Sequence, residues 1–113
     1  MSNPSKAKGT DAENAAVRAL NENGWPHAER RALAGVNDKG DISGVIGVVF
    51  EVKNEKKMTL ASYLAETKVE IGNAGADLGF AWIKRPGKGD ALDWYVLMDG
   101  HQMVTILQRL GYK

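Results

Sequence analysis

A chain of 113 residues, 43% of them hydrophobic and 26% charged, has the length and composition of one globular domain, with room for a single core. It contains no cysteine, which excludes a disulfide framework and a thiolate metal site and fits a cytoplasmic setting. A net charge of +1 demands no nucleic-acid partner, but acidic metal ligands mask a basic surface around them, so the distribution of charge matters more than its sum.

Residues 1–9, rich in Ser, Lys, Pro and Gly, read as a flexible arm, and residues 10–113 as one domain. Lys6 and Lys8 of the arm are placed either to reach a phosphate backbone or to sit in solvent. Thr10 to Glu13 forms a capping-box pattern that predicts a helix start. Ala16, Val17 and Leu20 give that helix an apolar face, and Gly24 is its natural stop. Glu13 has two readings: a cap bonded back to the Thr10 backbone, or a ligand turned toward acidic residues further on. A strand is expected over Trp25–Leu33, carrying Arg30 and Arg31, which suit either phosphate or a solvated strand end. Residues 34–40 read as a loop.

The stretch from Gly40 to Lys53, GDISGVIGVVFEVK, holds the chemistry. Val48, Val49 and Phe50 lead into Glu51 as a buried strand, and side-chain alternation puts Glu51 and Lys53 on one face. Gly44 and Gly47 suit a reversal near Ile46, so a hairpin would set Asp41 opposite Glu51. Two crowded carboxylates resist ionising together unless a cation lies between them. Mg²⁺, with Mn²⁺ as a substitute, prefers such oxygen ligands, and a neighbouring lysine can orient water or stabilise phosphate charge. The pattern D-x9-E-x-K is that of a metal-dependent phosphodiesterase. The plainer reading is a turn aspartate followed by a solvated strand face.

A helix is expected from Thr59 to Asn73, with Leu60, Tyr63, Leu64, Thr67 and Ile71 in the core. Glu66 and Glu70, like charges four residues apart, must be solvated or near a cation. Strands are expected over Phe80–Ile83 and Trp94–Met98, joined by a basic turn whose Lys84, Arg85 and Lys88 are candidate phosphate contacts. Val104, Ile106, Leu107 and Leu110 describe a C-terminal amphipathic helix closed by Gly111. The order α-β-β-β-α-β-β-α predicts an α/β fold, a mixed sheet flanked by helices. His27 and His101 lack metal-ligand spacing and read as structural or surface residues. No apolar run approaches membrane-spanning length, so no membrane partner is expected.

A first helix with Glu13, then Gly40-Asp41-Ile42, a short hairpin and Glu51-Val52-Lys53, resembles the PD-(D/E)-x-K nuclease superfamily and its restriction-endonuclease-like fold. Lys8-Gly9-Thr10 ahead of Glu13, the Arg30 or Arg31 strand and the small size are similar to archaeal-type Holliday junction resolvases. The same features, with Glu51-Val52-Lys53-Asn54, Ala74-Gly75-Ala76-Asp77 and Trp82-Ile83-Lys84-Arg85, look like resolvase-like nucleases of actinobacterial phages, which act in a bacterial host cytoplasm. Gly40 stands where the motif has proline. The resemblance implies Asp41, Glu51 and Glu13 as metal ligands, Lys53 as the water- or phosphate-orienting base, and a homodimer acting on branched DNA. Nicked, flapped or plain duplex DNA is the alternative substrate. From another class, a non-catalytic DNA-binding module on an inactivated nuclease fold is opposed by the intact Asp41, Glu51 and Lys53.

Overall fold

The computed structural model describes residues 4–32 and 37–113. Its elements run α1 (Pro4–Glu22), β1 (Glu29–Arg30), β2 (Ile42–Ser43), β3 (Val48–Lys53), α2 (Leu60–Ala74), β4 (Leu78–Ile83), a 3₁₀ turn (Ala91–Asp93), β5 (Tyr95–Leu97) and α3 (Gly100–Arg109). This is a mixed α/β fold, but its strands form two small sheets instead of one. β1 pairs antiparallel with β2, while β3, β4 and β5 make a separate mixed sheet. β3 and β4 are parallel, with Val48 beside Leu78 and Lys53 beside Ile83, and β5 returns antiparallel to β4. A parallel pair requires a crossover, which α2 supplies. Among the described residues, no helix is long and apolar enough to cross a membrane.

The alternation of β3 sorts the layers. Phe50 and Val52 point to one face, where they join Ala12, Ala16, Ala19 and Leu20 of α1 together with Trp82, Ala91 and Trp94. Alanines at these spacings give α1 a shallow stripe that approaches the sheet closely. Glu51 and Lys53 point to the other face, toward α2, where Tyr63, Ala81 and Ile83 form a smaller cluster. Of the expected α2 core, Tyr63 and Thr67 are buried, Leu64 and Ile71 are half-buried, and Leu60, the first residue of α2, is exposed.

Several local expectations are corrected. Residues 4–9, read as an arm, belong to α1, so Thr10 lies inside the helix and no capping box forms there. The strand expected over Trp25–Leu33 shrinks to Glu29–Arg30; Leu33, with which it was to end, lies outside the described residues. The chain does reverse at Val45–Val48, with the Val48 N–H donating to the Val45 carbonyl (3.2 Å) and Ile46 fully exposed at the tip. The flanking strands do not form the expected ladder, however, because β2 turns to β1.

Gly40 has a positive φ of 95°, and a Cβ there would lie 2.8 Å from the Phe50 carbonyl oxygen. Proline, locked near φ −65°, cannot take this conformation, and glycine takes it without strain. Gly40→Ala is expected to cost roughly 1–3 kcal/mol of stability, measured by urea denaturation. An unchanged midpoint would mean the backbone readjusts freely beside Asp41.

Candidate metal and phosphate site

The ladder stops at Asp41 because its side chain takes a backbone's place. The Asp41 N–H donates to the Phe50 carbonyl (2.7 Å), and the Val52 N–H then donates to Asp41 Oδ2 (2.7 Å). The Asp41 carbonyl is left to accept from the Arg31 N–H (2.8 Å), which ties in the end of β1. Asp41 is thereby fixed beside β3 at the level of Glu51. Burial, then the Glu51 charge, pushes its carboxyl up to about 7, against the pull of the Val52 bond.

Glu51 is buried, and its other neighbours come from α2. Lys53 Nζ lies 3.2 Å from Glu51 Oε1 and 3.0 Å from Glu66 Oε2, over the Tyr63 ring. Burial by itself would lower the lysine's pKa, but the Glu66 bond and the Glu51 and Glu66 charges outweigh it and raise it. Lys53 is therefore held protonated. A group so firmly charged can orient a phosphate, but it is not poised to take a proton from water near neutral pH.

Glu70 lies one α2 turn beyond Glu66 and is only 1% exposed. Burial and the neighbouring Glu51 push its carboxyl up to about 10. Glu51 is itself raised by burial, although contact with Glu70 and Lys53 works the other way. With both acids ionised, Glu51 Oε2 and both Glu70 oxygens have no hydrogen-bond donor. A single proton on Glu70, shared with Glu51, relieves this. Asp38 completes the group: its Oδ1 accepts from the Gly40 N–H (2.8 Å) and its carbonyl from Asn73 Nδ2 of α2 (2.8 Å). Asp38, Glu51 and Glu70 each bring an oxygen within 4.8 Å of the others, the one such group among the described residues.

No family model, curated protein or solved structure matches the chain.

The predicted site residues are thus partly brought together. Asp41, Glu51 and Lys53 converge. Glu13 lies near enough for its charge to raise Asp41, but its Oε1 accepts from Arg30 Nε (2.9 Å), so in this structure it is an ion-pair partner outside the carboxylate group. Arg30 also reaches Thr10 Oγ1 (3.4 Å), taking the contact that a capping box would have used. Arg31 is half-buried, and its Nε has no hydrogen-bond partner.

Lys8, Lys56 and Lys84 line one cleft of about 400 Å³ together with the acidic Asp11 and Glu55 and with Asn54, Met58, Pro86 and Gly87. It opens at the ends of β3 and β4, starting one residue past Lys53. Arg85 turns aside, donating to the Asp93 carbonyl (2.9 Å) and stacking over Tyr95, while Lys88 is exposed. Asp38 and Glu70 were not anticipated as site residues. Glu70 carried a signal, since Tyr63, Thr67 and Glu70 share one helical stripe. Asp38 carried none, because its position depends on the bond from Asn73.

Proposed function

We propose that the chain is a divalent-metal-dependent DNA endonuclease of the PD-(D/E)-x-K kind, with a restriction-endonuclease-like core, acting on branched DNA. One observation carries this reading: Asp41, half-buried, and Glu51, buried, are carboxylates with raised pKa that meet beside the protonated Lys53, and a cleft bearing Lys8, Lys56 and Lys84 begins at the next residue, Asn54. Carboxylates whose ionised form burial disfavours are poor structural elements but good ligands for a hard cation. A bound Mg²⁺ or Mn²⁺ supplies Lewis-acid polarisation of the phosphate and a more acidic water. Asp41 and Glu51 would provide its ligands, and Lys53 would stabilise the charge that develops on phosphate oxygen. Water would form the new bond to phosphorus as the bond to O3′ breaks, its proton passing to solvent and O3′ taking one from solvent, leaving a 5′-phosphate and a 3′-hydroxyl.

Lys8, Lys56 and Lys84 hold the backbone leading to this centre, and Arg30, screened by Glu13, is available to a phosphate. A two-fold homodimer would present equivalent sites to opposite arms of a branch point. Trp82 and Trp94 are buried and cannot form its interface. The exposed Met103, Val104 and Leu107 of α3, with Tyr95 and Val96 of β5, are the better contact surface.

The test is cleavage of a four-way junction, a flap, a nicked duplex and a linear duplex in Mg²⁺. Faster, paired cuts in the junction, with ligatable 5′-phosphate ends, are expected. Equal rates on linear duplex would make the protein a general endonuclease, and binding without cleavage of any substrate would make it a DNA-binding module.

A further inference from the structure

We infer that Asp38, Glu51 and Glu70 hold a divalent cation in a site of their own, on the α2 side of β3. Clustered acids are common on protein surfaces without an ion, but Glu70 is not a surface residue. It is 1% exposed, neither carboxylate oxygen has a hydrogen-bond donor among the described residues, and one of them lies within 4.8 Å of ligand oxygens of both Asp38 and Glu51. Glu51 adds a third buried oxygen without a donor, Oε2. Three buried oxygens of Glu51 and Glu70 are thus without donors beside the Asp38 carboxylate, and a cation satisfies them at once.

The three ligands come from three separate segments. The Asn73 bond to the Asp38 carbonyl pins the loop across α2 and sets Asp38 over Glu70. A cavity of about 440 Å³, lined by Asp38, Ser62, Ala65, Glu66, Val69 and Glu70, opens onto the group and leaves room for coordinated waters. All the donors are carboxylate oxygens, so the ion is a hard one: Mg²⁺, Mn²⁺ or Ca²⁺. Lys53 does not neutralise the group, because it is shared between Glu51 and Glu66. Glu51 is common to this site and to the pair it forms with Asp41. A role for the second cation in cleavage rests on the nuclease reading, whereas its binding does not.

The experiment titrates Mn²⁺ into the full chain, following the loss of the free-ion electron paramagnetic resonance signal, for wild type, Asp38→Asn, Glu70→Gln and Asp41→Asn. Folding is checked by circular dichroism. Asp38→Asn is exposed and retains an oxygen for the Gly40 N–H, so it keeps the test decisive if Glu70→Gln does not fold. At least a tenfold loss of Mn²⁺ affinity in Asp38→Asn, and in Glu70→Gln where folded, is expected, together with loss of the Mn²⁺-induced rise in Tm. Wild-type affinity in Asp38→Asn and Glu70→Gln, with loss confined to Asp41→Asn, overturns the inference and leaves the nuclease reading standing. Tight Mn²⁺ binding that depends on Asp38 and Glu70, in a protein that cuts no DNA at saturating metal, upholds the inference and removes the nuclease reading.

Discussion

Asp41→Asn is expected to lower metal-dependent DNA cleavage by about 10²–10³-fold or more, in a protein that stays folded. The amide oxygen of Asn still accepts from the Val52 N–H, so the bond that fixes this segment against β3 survives. What is lost is the negative charge that a hard cation needs. The variant should also be no less stable than wild type without metal, because burial and the Glu51 charge make the ionised Asp41 unfavourable. Loss of activity with stability kept or gained marks a residue retained for function. Lys53→Ala makes a useful contrast: it also removes the phosphate-facing charge, but it leaves Glu51 and Glu66 without their shared cation, so it should cost stability as well. A steady-state nicking assay beside urea denaturation at pH 7 reads both quantities. Near-wild-type cleavage by folded Asp41→Asn would remove this residue from the chemistry.

Glu70→Gln should stabilise the metal-free protein, and the gain should grow with pH. The folded carboxyl, pushed up to about 10, lies above its ordinary value of 4.5. Between those values the native state keeps a proton that the unfolded chain has released. Stability is therefore fully present below pH 4.5 and falls as pH rises through the window, at about 1.4 kcal/mol per pH unit. At pH 7 the accumulated loss is on the order of 3 kcal/mol, which a permanently neutral glutamine avoids. Asp38, Asp41 and Glu51 act on Glu70 in the same direction. Lys53, the adjacent cation, is held by Glu51 and Glu66. Asp41 adds a smaller dependence of the same sign between its ordinary 3.8 and about 7. Urea denaturation in EDTA at pH 5 and pH 8 measures the effect. Stability differences that stay constant between wild type and variant would show that Glu70 ionises normally. Saturating Mn²⁺ should narrow or reverse the difference, stabilising wild type more than Glu70→Gln, which keeps only the Asp41–Glu51 pair as ligands.

The parts of this structure legible in the sequence are those that local pattern decides. Val48-Val49-Phe50 announces β3, and alternation then puts Glu51 and Lys53 on one face. The spacing of Tyr63 and Thr67 announces α2, and that of Val104, Ile106 and Leu107 announces α3. What local pattern misses is set by tertiary contacts. Lys6 to Gly9 looks like an arm, yet the helix runs through it as α1. Glu13 looks like a cap because Thr10 precedes it, yet Arg30 from β1 claims both residues. The hairpin fails as a ladder because the Asp41 carboxylate, not a backbone carbonyl, accepts from Val52. Glu70 was recognisable as one of two like charges in need of a cation, but its stripe with Tyr63 and Thr67 placed it inside. Asp38 comes into reach only through Asn73, a contact 35 residues away in sequence.

The measurement that tests the account most directly is conversion of supercoiled plasmid, and of a four-way junction, by the purified chain in 5–10 mM Mg²⁺ or Mn²⁺ (roughly the saturating range for such carboxylate sites). Nicked and cut products that disappear with excess EDTA, and that are absent for folded Asp41→Asn, are the predicted result. Intact DNA in both metals with the wild-type chain, or cleavage that persists in EDTA, would contradict it.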